Sequence, residues 1–217
     1  MTKKTNFGNA DSSTYLSEVN KSRFAINQEL DRKAFHNIGR VVAVYDTDEL
    51  SPVGFVDIVI MTKLKLGSGE PHDHDVIYEV PYFRIQGGKN AVIINPQIGD
   101  IGFIGFCDRD ISGIVDTRQD SLPPTNRKND WADAIYLGGI LNGTPEQYVQ
   151  LKSDGTMVLH SPNSITLSSP TIAINADNLN VKASTKFTGT VQANGHSIDE
   201  THTHKNSGGT GTGGVVS

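Results

Sequence analysis

The chain has 217 residues and a formal net charge of −5 at pH 7. This charge provides no basic surface of the kind that nucleic-acid binders need, so we expect no nucleic-acid specificity. The single cysteine, Cys107, has no partner for a disulfide within the chain. No signal peptide and no apolar run long enough to span a bilayer are present, so we expect a protein made and folded in a cytoplasm.

Residues 1–34 are polar, carry no strand pattern and are predicted to form an arm. Between Thr14 and Lys33 the apolar residues suit one face of a helix, with Ser12 or Ser13 as its cap. These apolar residues are Leu16, Val19, Ile26 and Leu30. We expect the arm to pack against its own barrel or against a neighbouring protein. Disorder is the alternative for the first ten residues.

Residues 35–141 alternate as short β segments separated by glycine and proline, as in a small closed barrel. The predicted strands are Val41–Tyr45, Phe55–Met61, Val76–Ile85, Ala91–Ile94, Ile101–Phe106 and Ala134–Leu141. About a hundred residues is an ordinary size for one domain. Residues 142–147 are then predicted to be a neck between this barrel and the C-terminal third of the chain.

Two polar segments of the barrel region are candidates for metal binding. The run Glu70-Pro71-His72-Asp73-His74-Asp75 has the residue types of a metal hydrolase site, but its glycine-rich flank favours a solvated hairpin loop. Asp108, Asp110 and Asp116 follow an apolar strand and lack the spacing and glycine of a calcium loop. The sequence has neither a nucleophile elbow nor a phosphate loop, so we do not expect an enzyme.

A seven-residue repeat of apolar residues lies beyond the neck. Two sets define it, Ile165, Ile172 and Leu179, and Leu167, Ile174 and Val181. Within each unit the two apolar residues lie at i and i+2, which is the period of a strand and not that of a coiled coil. Ser168-Ser169-Pro170 and Ala176-Asp177-Asn178 separate the units and favour corners. We therefore predict short strands joined by tight turns from Tyr148 to Asn194.

The repeat unit is too short to enclose a core within one chain, because single-chain solenoids use roughly 20 residues or more per turn. Three units from three chains would complete one turn, so we predict an intertwined homotrimer with a triangular β-prism. The residues expected to point at its axis are Val149, Leu151, Ile165, Leu167, Ile172, Ile174, Leu179 and Val181. The alternative is an antiparallel sandwich of regular hairpins, whose strands usually run longer and whose turns favour Asn-Gly or Asp-Gly.

His202 and His204 lie on one face of an extended segment near the end of the chain. Three parallel copies would bring six imidazoles around one axis, an octahedral arrangement that suits iron or another six-coordinate transition ion better than zinc. Six protein ligands leave no position for a substrate, so such an ion would fasten the tip without doing chemistry. Alone, a His-x-His is most often two surface histidines, and the glycine-rich run 208–214 fits either a narrow apex or a flexible tail.

Four segments carry a resemblance to a known family. The run Asn194-Gly195-His196-Ser197-Ile198-Asp199-Glu200-Thr201-His202-Thr203-His204 looks like the apex of the central spike proteins of contractile-tailed bacteriophages, the baseplate assembly protein V group. Tyr148–Gly155 resembles the first part of their β-helix. Gly99–Phe106 and Ile135–Gly139 resemble two strands of their OB domains.

This resemblance implies an all-β protein with an N-terminal OB-like β-barrel at 35–141, a neck and intertwined triple-stranded trimeric β-helix at 142–195, and a metal-bound apex at 196–217. It also implies one iron ion per trimer, bound by six histidines, which are His202 and His204 of each chain. His196 stands where the family pattern has a lysine and is not assigned to the metal. The sequence leaves open whether further ions lie along the axis.

The function implied is structural and mechanical. The trimer would form the central spike at the tip of a phage tail, held by baseplate hub or tail tube proteins of the virion. The contracting sheath would drive it through the host outer membrane, which it contacts mechanically. The alternatives are a trimeric fibre or stalk that binds a receptor or carbohydrate, and a metal-dependent hydrolase.

Overall fold

The computed structural model describes residues 10, 13–31, 33–45, 54–65 and 70–198. The chain divides into two compact units, Met1–Pro162 and Asn163–Ser217. The predicted domain boundaries at residues 34, 141 and 195 stay predictions.

The described part of the chain is mostly β-structure with few helices. The helices are α1 (Glu18–Leu30), α2 (Ser112–Thr117) and a 3-10 helix at Trp131–Asp133. The strands are β1 (Asn37–Tyr45), β2 (Phe55–Ile60), β3 (Leu64–Lys65), β4 (Pro71–His72), β5 (Ile77–Pro81), β6 (Ile85–Gly87), β7 (Asn90–Val92), β8 (Ile101–Phe106), β9 (Ala134–Gly139), β10 (Tyr148–Leu151), β11 (Met157–His160), β12 (Gln192–Ala193) and β13 (His196–Ser197). No helix among the described residues is long and apolar enough to cross a membrane.

Five strands form one antiparallel sheet in the order β5-β2-β1-β8-β9. The nine-residue strand β1 lies at its centre and pairs with both β2 and β8. The ladder changes register between Val41 and Ala43, between Val56 and Ile58, and between Gly102 and Ile104. Such irregularities increase the local twist of a sheet. The sheet therefore curls into an antiparallel half-barrel.

The curl brings the two edge strands together at a pair of tyrosines. Tyr82 and Tyr136 form a parallel bridge, and the amide of Phe83 donates to the carbonyl oxygen of Tyr136 at 2.7 Å. Both tyrosines are buried. They belong to a core whose other members are Val41, Val56, Ile58, Ile60, Val80, Ile104 and Ala134.

Two glycines make room for these tyrosine rings. A Cβ atom on Gly102 would lie 2.2 Å from Cε2 of Tyr136, and one on Gly54 would lie 2.1 Å from Cε1 of Tyr82. Neither distance is compatible with any larger residue unless the ring moves. The sheet thus closes because each tyrosine lies directly against a backbone without a side chain.

Helix α1 begins later than the sequence predicted, and the predicted cap was wrong. Ser17 is the N-cap, and its hydroxyl accepts a hydrogen bond from the amide of Asn20 at 3.2 Å. The carbonyl of Ser13 instead accepts from the amide of Leu16 in a turn that precedes the helix. No residue of α1 is buried, so packing of the arm on its own barrel is not confirmed, and contact with a neighbouring protein stays a prediction.

The predicted strands of the barrel region agree with β1, β2, β8 and β9 to within a few residues. The predicted strand Val76–Ile85 is instead divided into β5, the Tyr82 bridge and β6, because the chain leaves one edge of the sheet and starts a separate hairpin with β7. Helix α2 and the short pair β3–β4 were not predicted.

We expect Gly102→Ala to lower the free energy of unfolding by about 1–3 kcal/mol, the usual effect of overpacking, because the new methyl group would displace the Tyr136 ring. Urea unfolding followed by the fluorescence of Trp131, the single tryptophan of the chain, measures this change. Gly143→Ala is the control, since nothing lies within 4 Å of a Cβ at that position. Equal stability of the two variants would contradict this account of barrel closure.

Candidate functional site

The predicted metal ligands His202 and His204 lie outside the described residues. The last described segment that leads to them is the hairpin of β12 and β13. Asn194 and Gly195 form its two-residue turn with φ of 51° and 79°, and positive φ at both central residues is typical of the tight turn that suits the twist of a hairpin. His196 is exposed on β13, and the amide of Ile198 donates to the carbonyl of Val191 at 2.8 Å.

The hairpin of β10 and β11 carries an apolar face that the single chain does not cover. Val149 pairs with Leu159 and Leu151 pairs with Met157, so the four side chains share one face. Their exposed fractions run from 50% to 78%. An isolated two-stranded hairpin is only marginally stable in water, so this face needs a partner surface to contribute to stability.

The turn of this hairpin is built from polar residues. The amide of Gly155, at φ of 84°, donates to the carbonyl of Lys152 at 3.1 Å. The carboxylate of Asp154 accepts from the amide of Thr156 at 2.9 Å, and this hydrogen bond lowers the pKa of Asp154. The turn therefore fixes the register that places the four apolar residues on one face.

The seven-residue repeat is exposed throughout. Its six apolar side chains have exposed fractions between 51% and 69%, for Ile165, Leu167, Ile172, Ile174, Leu179 and Val181. No helix or strand occurs between β11 and β12 in the described chain. We predicted that the repeat forms strands that pair between chains, and this stays a prediction.

The His72–His74 loop is exposed except at the half-buried His74, and it does not gather a set of metal ligands. The carboxylate of Asp73 pairs with the Lys63 ammonium at 3.0 Å. His74 lies against the Trp131 ring at a centroid distance of 4.7 Å, and burial lowers the pKa of its imidazole. The loop borders a cavity of about 660 Å³. Among the described residues, no group of three or more His, Cys, Asp and Glu side chains is placed to hold a metal ion.

The aspartate-rich loop after β8 is organised by an arginine. Asp110 and Asp133 are both buried, and the Arg127 guanidinium donates to Asp110 at 2.6 Å and to Asp133 at 2.8 and 2.9 Å. Ser112 and Thr125 donate their hydroxyls to Asp110, each at 2.7 Å. This Asp110–Arg127–Asp133 network joins the loop to the start of β9 and has the geometry of a structural ion-pair cluster.

The sequence did not identify this network. Asp110 stood out because aspartates cluster there, but Arg127 and Asp133 are 17 and 23 positions further along the chain. In the sequence near these two residues, the one sign of a buried position is the apolar strand that follows Asp133 and places this residue at the edge of the core.

A side-chain clamp holds the point where the chain leaves β9. The carboxamide of Asn142 accepts from the amide of Ile101 at 2.8 Å and donates to the carbonyl of the same residue at 3.1 Å. Asn142 directly follows Leu141, whose φ is 58°. The amide of Ile140 also donates to the carbonyl of Ile101 at 2.8 Å, so three hydrogen bonds hold the chain after β9 to the start of β8.

Comparison with protein families and with curated proteins gives no match for this chain. The resemblance drawn from the sequence is therefore an argument from its residues alone.

We expect the stability of the barrel to fall as the pH decreases from about 4 towards 2, because hydrogen bonds from Ser112 above all, then Thr125, and the charge of Arg127 lower the pKa of Asp110 from 3.8 to about 2. A carboxyl whose pKa is lower in the folded state stabilises the protein above its unfolded pKa and loses this effect as it is protonated. Thermal unfolding followed by Trp131 fluorescence at several pH values measures the change.

The variant Asp110→Asn should have a lower melting temperature at pH 7 and a weaker dependence on pH between 4 and 2 than the wild type. Asp120→Asn, which changes an exposed carboxylate, should retain the wild-type profile. An unchanged profile in Asp110→Asn would exclude Asp110 as a source of the acid sensitivity.

Proposed function

We propose that this protein is the trimeric central spike of a contractile phage tail, a non-enzymatic protein that pierces the host outer membrane when the sheath contracts. The observation that carries the proposal is the exposure of apolar residues at a spacing of seven, beyond a half-barrel sheet that already has its own core. The first domain would attach the protein to the tail, the repeat would form the shaft, and the segment with His202 and His204 would form the tip.

The strand pairing of the first unit supports an OB-like barrel. Its long strand β1 pairs with two neighbours, the other strands continue the sheet on either side, and a parallel bridge links the two edge strands. A five-stranded, partly open barrel is the hallmark of the OB fold. Since the fold alone does not fix a function, the proposal rests on the seven-residue repeat.

The energy of burial supports assembly through the repeat. The eight residues predicted to face the axis are at least half exposed in the single chain. Full burial of one such side chain contributes about 1.5–3 kcal/mol, so burying the exposed part of all eight would contribute on the order of 10 kcal/mol per chain. Three chains with seven-residue units provide one turn of roughly the length that a solenoid requires.

The identity of the covering surface can be argued from the repeat itself. The apolar positions recur with one period over three units, so the surface that covers them needs the same period. Two further copies of the chain, parallel and in register, provide it without any other protein. The apolar face of the β10–β11 hairpin, which belongs to the first unit, is exposed as well and needs a covering surface too.

At the tip we propose one iron ion per trimer, held by His202 and His204 of each chain. Two histidines per chain give six imidazole nitrogens around the threefold axis, which completes an octahedral shell. The ion would order a tail that has few side chains to pack. Baseplate hub or tail tube proteins are the proposed partners of the barrel and arm, and the virion tail tip is the proposed location.

The mechanical role depends on interwound chains. Such chains separate only when they unthread, so their resistance to force depends on the rate of unfolding more than on the equilibrium free energy. A trimer that remains intact for the duration of one contraction event meets this requirement. Folding and assembly are then a single step.

The alternatives are a receptor-binding stalk and a metal-dependent hydrolase, and the hydrolase predicts a different behaviour of the metal. A hydrolase needs an open coordination position, whereas six histidines leave none. In the described chain the other His-x-His is engaged, with Asp73 paired to Lys63 and His74 packed on Trp131. Water-exchange measurements on the metal-loaded trimer separate the hydrolase from the spike, because exchange at the metal requires an open position.

We expect the native protein to sediment as a homotrimer, and Ile172→Asp to prevent its assembly. Three carboxylates would be forced together at a dry axis, where repulsion and loss of hydration both oppose burial. Thr171→Asp adds the same charge to the adjacent residue, which should face outward, and is expected to leave the trimer intact. A monodisperse wild-type monomer at micromolar concentration, or equal behaviour of the two variants, would refute the β-prism.

We expect elemental analysis to find one iron ion per trimer, and the double variant His202→Ala/His204→Ala to lose the metal while remaining trimeric. The apolar repeat holds the chains together without the ion, so metal and assembly should be separable. His196→Ala is the matched control and should retain the metal. Acid should release the ion as the imidazoles are protonated. Metal retained in the double variant would remove this site from the proposal.

A further inference from the structure

Two Asn-Gly pairs occur in the chain, Asn142-Gly143 and Asn194-Gly195. In such a pair the backbone nitrogen of the glycine can attack the Cγ carbon of the asparagine side chain, and the absence of a Cβ on glycine leaves that nitrogen unhindered. This reaction is one reason why asparagine is thermolabile. All four residues are exposed, so exposure alone does not distinguish the two pairs.

The reaction consumes one water and releases one ammonia. The glycine nitrogen forms a bond to Cγ and loses its proton, while the bond from Cγ to the side-chain nitrogen breaks and ammonia leaves with that proton. Water then opens the cyclic succinimide at one of its two carbonyl carbons. Attack at Cγ gives aspartate, whereas attack at the backbone carbonyl carbon gives isoaspartate, in which the main chain runs through Cβ and Cγ.

The fold restrains Asn142 against this reaction. Its Oδ1 accepts from the amide of Ile101 at 2.8 Å, and its Nδ2 donates to the carbonyl of Ile101 at 3.1 Å. The backbone is held as well, because the amide of Ile140 donates to the same carbonyl at 2.8 Å. Attack by the Gly143 nitrogen requires Cγ to turn towards it, and this rotation breaks both side-chain hydrogen bonds.

Asn194 lies instead at the tip of the hairpin of β12 and β13. Each of these strands has two residues, and residues 192–198 are all exposed. In a two-residue hairpin turn the amides of the central residues lie outside the ladder, so strand pairing does not hold the Gly195 nitrogen. An isolated two-stranded hairpin is only marginally stable in water, so this one opens at a small cost in free energy.

We propose that Asn194 is a site of spontaneous deamidation, and that Asn142, which has the same following residue, is protected by its contacts with Ile101. The reaction at Asn194 proceeds from the opened hairpin, in which Cγ reaches the Gly195 nitrogen. This inference does not depend on the proposed trimer, because the two sites are compared within one preparation of the protein.

The product changes the hairpin at its turn. Asn194 and Gly195 are the two central residues, with φ of 51° and 79°, and the flanking residues Ala193 and His196 are paired across them. Isoaspartate lengthens the main chain of this turn by one carbon atom, so the flanking residues lose the spacing that a two-residue turn gives them. The hairpin comes before the proposed metal-binding segment, so deamidation would loosen the start of the proposed tip.

The test is a time course on the unmodified full chain in warm neutral buffer. Peptide mapping by mass spectrometry measures the fraction of each asparagine that has become a carboxylate, and chromatography separates the aspartate and isoaspartate peptides. We expect Asn194 to react at least about tenfold faster than Asn142, because three hydrogen bonds of about 1 kcal/mol each restrain Asn142. In concentrated urea, where the fold is lost, the two asparagines should react at similar rates.

Gly139→Ala tests the protection of Asn142 directly. A Cβ at Gly139 would lie 2.6 Å from Nδ2 of Asn142, so the new methyl group displaces the carboxamide from Ile101. We expect this variant to deamidate faster at Asn142 and at an unchanged rate at Asn194. An unchanged rate at Asn142 in the folded variant would show that its contacts with Ile101 do not protect it.

Equal rates at the two sites in the folded wild type overturn the inference, and so does a faster reaction at Asn142. The same ratio of rates in urea as in the folded protein means that the neighbouring residues, and not the fold, set the difference, which also overturns it. If Asn194 reacts in urea but not in the folded protein, the hairpin stays closed and the proposed site is refuted. None of these outcomes bears on the trimer, which sedimentation tests separately.

Discussion

The contact of Tyr82 and Tyr136 with two glycine backbones is the interaction on which the first unit depends. It joins the two edges of a sheet whose ladder irregularities have curled it, and it seals a core of branched aliphatic side chains. Arg84 uses the hydroxyl of the same Tyr82 to fix the β6–β7 hairpin. The curl of the sheet and the position of the β6–β7 hairpin therefore both depend on this contact.

The apolar residues of the repeat are exposed, whereas those of the first unit form a buried core. In the barrel they alternate along paired strands and are buried within one molecule. In the repeat they alternate just as regularly, but the intervening corners give each segment too few residues to fold back on itself, and the side chains remain in solvent. The two parts differ in the length of chain available between turns.

Much of the barrel could be predicted because its strands are long enough to show the two-residue period. Helix α1 was predicted with the wrong cap, since several serines precede it and the choice of Ser17 depends on which hydroxyl reaches the amide of Asn20. The network of Asp110 with Arg127 could not be predicted, because an ion pair across 17 positions leaves no local pattern. The repeat was recognisable as a sequence period, but its apolar side chains are exposed in the described chain, so its pairing between chains stays a prediction.

The clamp at Asn142 has a consequence for how the molecule would bear load. A rod under axial load bends first at its most flexible joint, and in the proposed spike this joint would be the short link after β9. The carboxamide of Asn142 and the amide of Ile140 both engage the backbone of Ile101, so bending at this link would stretch these hydrogen bonds. In the proposed spike under axial compression, Asn142 would act as the stiffener of the base of the shaft.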